Sequence, residues 1–320
     1  MAGYPGAYRL ARPDKLRTVT QSRPILAGNY SARVAGGFGW YTRRLFAKSF
    51  HAVRVTPSSI PLIRGLDGHA GPVIIAMSHA SWWDPLVAVL VGRTYLLSRS
   101  ACAPMERAQL EKFAFFRRLG LFGVDPDDAS MLPAMGAYVR ERFLSEARPT
   151  LYITPQGRFA DPRAPLEVRP GVAAIAAAHA SCRVVCLAIE YPFWTDQRPE
   201  VLLHAREAAL DASKAASTPR WHQAITTTLA AAMGELATLA MARDPRAFEV
   251  VVGRGAGQAK VNPVYDLWLR LRGRGSGAIE SARVPGTTGN GESVLREGLL
   301  REDAGSRESG APRRANEGGT

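Results

Sequence analysis

The sequence predicts a single α/β domain whose central sheet is largely parallel or mixed and flanked by helices. Three observations carry this expectation. Short runs rich in β-branched residues alternate with helix-periodic segments through the middle of the chain. Apolar residues make up 46% and charged residues 22% of 320 positions, the balance of a folded protein with a sizeable core. The two ends differ from this middle. Residues 1–36 are rich in Gly, Pro and Arg without clear periodicity, and are expected to form a mobile basic arm. Gly273 to Thr320 is rich in Gly, Ser, Arg and Glu with few large apolar groups. Burial there cannot offset the entropy of ordering, so a disordered tail is expected at 273–320. The folded domain is placed at 37–272.

The elements follow in order. Over residues 37–55, Phe38, Tyr41, Leu45, Phe46, Phe50 and Val53 recur at three-to-five-residue steps, while Arg43, Arg44, Lys48 and Arg54 lie mostly off that stripe. This predicts a basic amphipathic helix whose apolar side faces either lipid or the core. Pro72 to Ser78 is a short apolar run and reads as a buried strand. Asp84-Pro85 then supplies a helix start, with Asp at the N-cap and Pro at the first helical position. A helix is expected over Met105 to Arg118, a strand over Leu121 to Asp125, and a helix over Leu132 to Ala147 with Arg140, Arg142 and Glu146 outward. Next come a strand at Thr150 to Thr154, an Ala-rich helix at Gly171 to Ser181, and strands at Arg183 to Tyr191 and Glu200 to Ala205. A long helix covers Trp221 to Arg243.

Charge and cysteine usage bound the function. The formal charge is +13. Up to Thr56, ten basic residues stand against Asp14 alone, which draws that segment to polyanions such as anionic lipid headgroups or nucleic acid. No nucleic-acid recognition motif accompanies it, and the basic stretch carries Phe and Trp, so no nucleic-acid partner is expected. Cys102, Cys182 and Cys186 are odd in number and lack framework spacing, which suits reduced thiols and a cytosolic setting. No His or Cys cluster surrounds them, and no metal site is expected. The sequence contains no unbroken run of 18 apolar residues and no apolar signal-peptide run near Met1. Membrane contact is therefore expected to be peripheral or monotopic, on the cytoplasmic face, through residues 37–55.

The chemistry-bearing residues cluster where the first clear strand hands over to a helix. The sequence there is His79-Ala80-Ser81-Trp82-Trp83-Asp84. Strand C-terminal ends are where open α/β sheets place ligands. A histidine titrates near neutrality and can take a proton from an alcohol. Four intervening residues let the chain turn so that a carboxylate reaches the other ring nitrogen, fixing the tautomer and stabilising the imidazolium. The plainer reading is a capping Asp and a structural His. Ser81 either bonds His79 or caps the helix. Trp82 and Trp83 wall a groove, dip into lipid or pack in the core.

The segment SHASWWDP resembles the H-x-x-x-x-D signature of the glycerolipid acyltransferases, the family of the lysophosphatidic acid acyltransferases. Tyr152-Ile153-Thr154-Pro155-Gln156-Gly157-Arg158 is similar to that family's third block, F-P-E-G-T-R. Arg117 to Asp125 resembles the second block and Val184 to Ile189 the fourth. The resemblance spans about residues 38–255. It implies a mixed α/β fold with the His-Asp pair at the mouth of an acyl tunnel. It implies an acyl-CoA or acyl-carrier-protein donor as substrate, no cofactor, a lipid acceptor, and direct attack by the acceptor hydroxyl without an acyl-enzyme. His79 would be the general base and Asp84 its orienting partner. Pro155, Gln156, Gly157 and Arg158 would shape the acceptor site, and Ser81 would support the oxyanion or the pair.

The departures concern the acceptor. Gln156 replaces the usual Glu, Phe159 stands where the block's Arg usually sits, the second block lacks its Arg, and Cys186 replaces a Pro. The family's Arg residues contact the acceptor phosphate, and a displaced guanidinium need not bind phosphate bidentately. The expected acceptor is thus lysophosphatidate or another glycerolipid, or a neutral glycolipid or terpenoid alcohol. A serine hydrolase is disfavoured because no G-x-S-x-G elbow occurs. A catalytically inactive lipid-binding relative is the remaining alternative, prompted by Gln156.

Overall fold

A computed structural model describes residues 24–253 apart from 126, 127, 129, 195 and 212–214. The expected tail at 273–320, most of the expected N-terminal arm, and Pro126 and Asp127 of the second block lie outside the described residues. Within them, eight strands form one sheet in the order β4-β3-β5-β2-β6-β7-β1-β8. The strands are β1 (Ala52–Val55), β2 (Val73–Met77), β3 (Ser100–Glu106), β4 (Leu121–Val124), β5 (Pro149–Ile153), β6 (Arg183–Glu190), β7 (Val201–Ala208) and β8 (Glu249–Gly253). β4, β3, β5, β2 and β6 run parallel to one another, β7 is antiparallel to β6, and β8 is antiparallel to β1. The mixed α/β expectation is met.

Period-two alternation puts two cores on the two faces of this sheet. Val73, Ile75 and Met77 of β2 join a core roofed by α1 (Ala32–Ser49), α2 (Ser59–Asp67) and α3 (Asp84–Tyr95). Ile74 and Ala76 point the other way, into a core roofed by α5 (Met131–Ser145), α6 (Gly171–Ala177) and α7 (Thr218–Ala242). β2 is therefore buried on both faces, which is why its sequence is a continuous apolar run rather than an alternation. In α7, Trp221, Ile225, Leu229, Ala232, Leu236 and Ala240 recur at three- and four-residue steps and are the buried positions. By length and composition α7 is also apolar enough to cross a bilayer, which a search for an unbroken apolar run passes over. Here that apolar stripe lies on β6 and β7.

Three local expectations are corrected. The helix expected over 37–55 begins at Ala32 and ends at Ser49, and Val53 and Arg54 belong to a buried strand. Phe50 packs beneath the helix end, and the β-branched pair Val53 and Val55 takes the sheet's period instead. The helix expected over Met105 to Arg118 is three pieces: the end of β3, a short α4 (Arg107–Lys112) and a 3₁₀ turn at Ala114–Leu119. The run Phe113, Phe115, Phe116 lacks the four-residue spacing that would bury one face, so a continuous helix gains little there. Arg142 and Glu146, expected outward, are half-buried and pair with each other, and Glu146 also accepts the Ser100 hydroxyl at 2.6 Å.

α1 seats closely because Gly39 faces α3. A Cβ at Gly39 would stand 2.6 Å from Cγ of Arg93, too close for any other residue without displacing that side chain. Phe46 (0% exposed) and Phe50 (3%) then stack at 5.3 Å and bury against Trp83. Each fully buried phenylalanine contributes about 1.5–3 kcal/mol by leaving water. Phe46 and Phe50 of the apolar stripe read from the sequence are thus spent on the core, while Tyr41 of the same stripe stays exposed.

Candidate active site

The parallel order β5-β2-β6 places three loops side by side at one edge of the sheet. Ala76 pairs with Ile153, and Met77 with Leu187. The chain leaving β2 delivers His79, the chain leaving β5 delivers Thr154 to Phe159, and the chain leaving β6 delivers Tyr191. The site sits at the C-terminal ends of parallel strands, as in other open α/β sheets.

His79 Nδ1 lies 2.9 Å from Asp84 Oδ2. Asp84 is fully buried and is the first residue of α3, not its N-cap as expected. Its carboxylate turns back toward the loop rather than capping the helix. Oδ2 also accepts the backbone N–H of Ser81 at 2.9 Å, and Oδ1 accepts the hydroxyl of Tyr191 at 2.6 Å. A carboxylate only accepts, so Nδ1 carries the hydrogen and Nε2 presents a lone pair. Nε2 has no hydrogen-bond partner among the described residues, and His79 lines a large cavity. Burial, then the Asp84 carboxylate, pushes the Tyr191 phenol above its ordinary range, so it stays a donor. Tyr191 was not foreseen. It lies two residues past the fourth block, 107 positions from its partner, and the β2–β6 pairing brings it in.

The loop after β5 grips His79 and also lines the cavity with Thr154, Pro155, Gly157, Arg158 and Phe159. Gln156 is buried, and its side-chain Oε1 accepts the backbone N–H of His79 at 2.7 Å. On the other side of the residue, Ala160 N–H donates to His79 carbonyl at 2.8 Å. Gln156 was expected to contact acceptor; in this structure its side chain fastens the loop that carries His79. Either Gln or Glu can supply that accepting oxygen. Pro155 is buried, and its carbonyl accepts Arg169 N–H at 2.8 Å. Gly157 has φ +67°, and a Cβ there would meet the Arg169 guanidinium at 2.7 Å, so glycine is required on both grounds. Arg158 lines the cavity, but its guanidinium pairs with Glu167 at 2.6 Å in an exposed setting. Phe159, also not foreseen as a site residue, stacks on the His79 ring with centroids 4.3 Å apart.

Ser81 acts locally: its hydroxyl accepts Trp83 N–H at 3.2 Å, and its N–H holds Asp84. The two tryptophans part company. Trp83 packs on Phe46 and Phe50, and Trp82 is 62% exposed and lines the cavity.

The cavity measures about 1320 Å³ and is walled largely by apolar side chains, among them Met77, Leu86, Val89, Leu96, Leu121 and Met135. That space is at the upper end of drug-sized pockets and suits a long hydrocarbon chain. Residues 54–190 match the family model described as Acyltransferase. Over those residues the chain is similar to the acyltransferase family. All four blocks read from the sequence fall inside the matched span, and the glycerolipid-acyltransferase resemblance holds. A comparison with curated proteins gives no match. The protein also keeps a thiol at its cavity: Cys102 lines it, yet Cys102 is 1% exposed and burial pushes its thiol up to about 12. Such a thiol is not a thiolate at neutral pH, and a cysteine acyl-enzyme finds no support in it.

A second histidine–carboxylate pair lies away from the cavity. His204 Nε2 is 2.9 Å from Glu235 Oε2, and His204 Nδ1 is 2.8 Å from the buried Thr56 hydroxyl. Ser59 completes this cluster, bonding the Thr56 hydroxyl at 2.6 Å.

Proposed function

We propose that this acyltransferase moves a fatty-acyl group from an acyl-CoA or acyl-carrier-protein thioester to a hydroxyl of a lipid acceptor, with His79 as general base and Asp84 as its orienting partner. The observation that carries this reading is the division of the His79 ring: Nδ1 is committed to a buried carboxylate, while Nε2 is unpartnered at an apolar cavity. Nε2 takes the acceptor's proton as that oxygen attacks the thioester carbonyl. Asp84 stabilises the imidazolium as it forms. The tetrahedral intermediate collapses with cleavage of the C–S bond, and the imidazolium returns the proton to the departing thiolate. Ester and free thiol leave, and no covalent enzyme intermediate is needed.

The acyl chain occupies the cavity. The acceptor is a lysolipid or a neutral lipid alcohol rather than one gripped mainly through phosphate. Glu167 already neutralises Arg158, the residue nearest to the family's anion-binding position. The enzyme works peripherally at the cytoplasmic face of a membrane, where acceptor and acyl chain are both at hand.

The test is transfer of labelled long-chain acyl-CoA, and in parallel acyl-carrier protein, to a panel of lysophosphatidate, lysophosphatidylcholine, glycolipids and long-chain alcohols. Wild type should form an acyl ester with at least one acceptor, and His79→Ala should lose about a hundredfold or more. Equal turnover by the two proteins would remove His79 from the chemistry.

A further inference from the structure

Phe46 and Phe50 of the α1 stripe are buried, yet Tyr41 of the same stripe and its neighbour Trp40 are left uncovered and join a wider aromatic surface beside the cavity. Trp40 is 64% and Tyr41 51% exposed on the outward side of α1. Phe113 (46%) and Phe115 (48%) are exposed at the 3₁₀ turn after α4. Phe38 bridges the two elements, with ring centroids 5.8 Å from Tyr41 and 5.6 Å from Phe115. The aromatic surface is thus continuous across two segments about seventy residues apart in sequence. Phe38 and Phe113 also line the cavity that holds His79, so the apolar surface and the cavity wall share side chains.

The charges around this surface are mostly of one sign. Arg43, Arg44, Lys112 and Arg118 are exposed, with Arg44 5.0 Å over the Trp40 ring and Lys112 5.4 Å over Phe113. Glu111 is the acid of α4, and it faces Arg107 at 3.6 Å. Clustered aromatic side chains ringed by Arg and Lys match the headgroup layer of an anionic bilayer: rings sit at the acyl boundary and cations meet phosphates.

We propose that Trp40, Tyr41, Phe113 and Phe115 form a two-segment patch that inserts into the headgroup region of an anionic membrane, so that the cavity opens toward the lipid. The proposal rests on reading the acceptor as a lipid, and of the segment 37–55 it keeps Trp40 and Tyr41 while adding Phe113 and Phe115 from the second segment. Partition into the bilayer buries the four rings together, and the surrounding cations add an attraction that salt weakens.

The experiment is co-sedimentation of the full chain with phosphatidylcholine–phosphatidylglycerol vesicles and with phosphatidylcholine vesicles, at low and high salt. Trp40→Ser/Phe115→Ser, at two residues that are not themselves part of the cavity lining, should lower partition to the anionic vesicles by about tenfold or more. Its residual binding should vanish at high salt, whereas wild type should retain part of its own. Leu144→Ser, at an 80% exposed leucine on α5, should bind like wild type. The double variant should keep its turnover of a detergent-dispersed acceptor, which also certifies its fold. Equal vesicle binding by wild type and the double variant overturns the patch, as does an equal loss in Leu144→Ser. If a second copy covers the patch instead, the double variant shifts the sedimentation mass while vesicle binding stays at the wild-type level, and the proposal fails. His79→Ala separates the two readings: it should bind vesicles fully while transferring nothing. A wild type that ignores vesicles but acylates a dispersed acceptor sinks the patch and leaves the chemistry standing.

Discussion

The protein contains two histidines held 2.9 Å from a carboxylate, His79 with Asp84 and His204 with Glu235, and the pairs differ in everything except that distance. Asp84 is fully buried and held by three donors, while Glu235 is exposed and shared with Arg206. More decisive is the second ring nitrogen. In His204 it is taken by Thr56, with Ser59 behind, so the ring is saturated and closed off from any ligand. In His79 it is left to the cavity. A His–carboxylate distance therefore says little about catalysis; the unspent lone pair and what it faces say more. The Thr56-His204-Glu235 line even imitates a hydroxyl–imidazole–carboxylate relay, but its hydroxyl is 3% exposed and cannot meet a substrate.

The comparison can be broken from its strong end. Asp84→Asn removes the charge that meets the imidazolium and offers the wrong hydrogen-bond partner to Nδ1. Turnover should fall by about 10²–10⁴ with little change in donor KM, measured as kcat and KM for the acyl thioester. A loss under tenfold would reduce the His79 pair to the structural rank of the His204 pair. Tyr191→Phe sharpens the contrast at intermediate scale, with an expected fall in kcat of about three- to tenfold. Losing the phenol removes one of the three donors that hold the Asp84 carboxylate in place, so kcat should fall while the donor KM stays put. A purely structural Tyr191 would lower the melting temperature and leave kcat in place. At the weak end, His204→Phe should leave kcat within about twofold, since no ligand reaches that ring. Stripping partners from the Thr56 hydroxyl and Glu235 should cost about 1–3 kcal/mol of stability. In a domain of this size each kcal/mol lowers the melting midpoint by about 2–4 °C, readable by thermal denaturation.

Much of the site was legible in the sequence, and the limits have physical causes. β2, β4, β5, β6 and α7 stand where apolar runs and periodicity put them, and His79 and Asp84 meet as their spacing suggested. β1 was hidden because Ala52 to Val55 continues the apolar recurrence of α1, so helix and strand shared one pattern until Phe50 broke it. β3 was hidden by its content: Ser100, Pro104 and Glu106 are poor strand formers, held there by pairing with β4 and β5. Asp84 read as an N-cap because Asp-Pro is a common helix start, and the tertiary demand of His79 and Tyr191 outweighed that local preference. Gln156 and Arg158 were placed on the right loop, but sequence shows neither the His79 amide that Gln156 accepts nor the Glu167 that Arg158 meets across the turn. Tyr191 had no local signal at all.

The grip of the β5 loop on His79 has a consequence beyond holding it still. With its N–H donated to the Gln156 side chain and its carbonyl accepting from Ala160 N–H, the histidine has both backbone groups tied to the chain that leaves β5, two residues past the end of β2. The His79 ring is thus carried on a loop whose backbone is pinned from a neighbouring strand's exit. On the proposed mechanism, less backbone entropy is left to surrender on the way to the transition state, because part of that ordering is settled once, during folding.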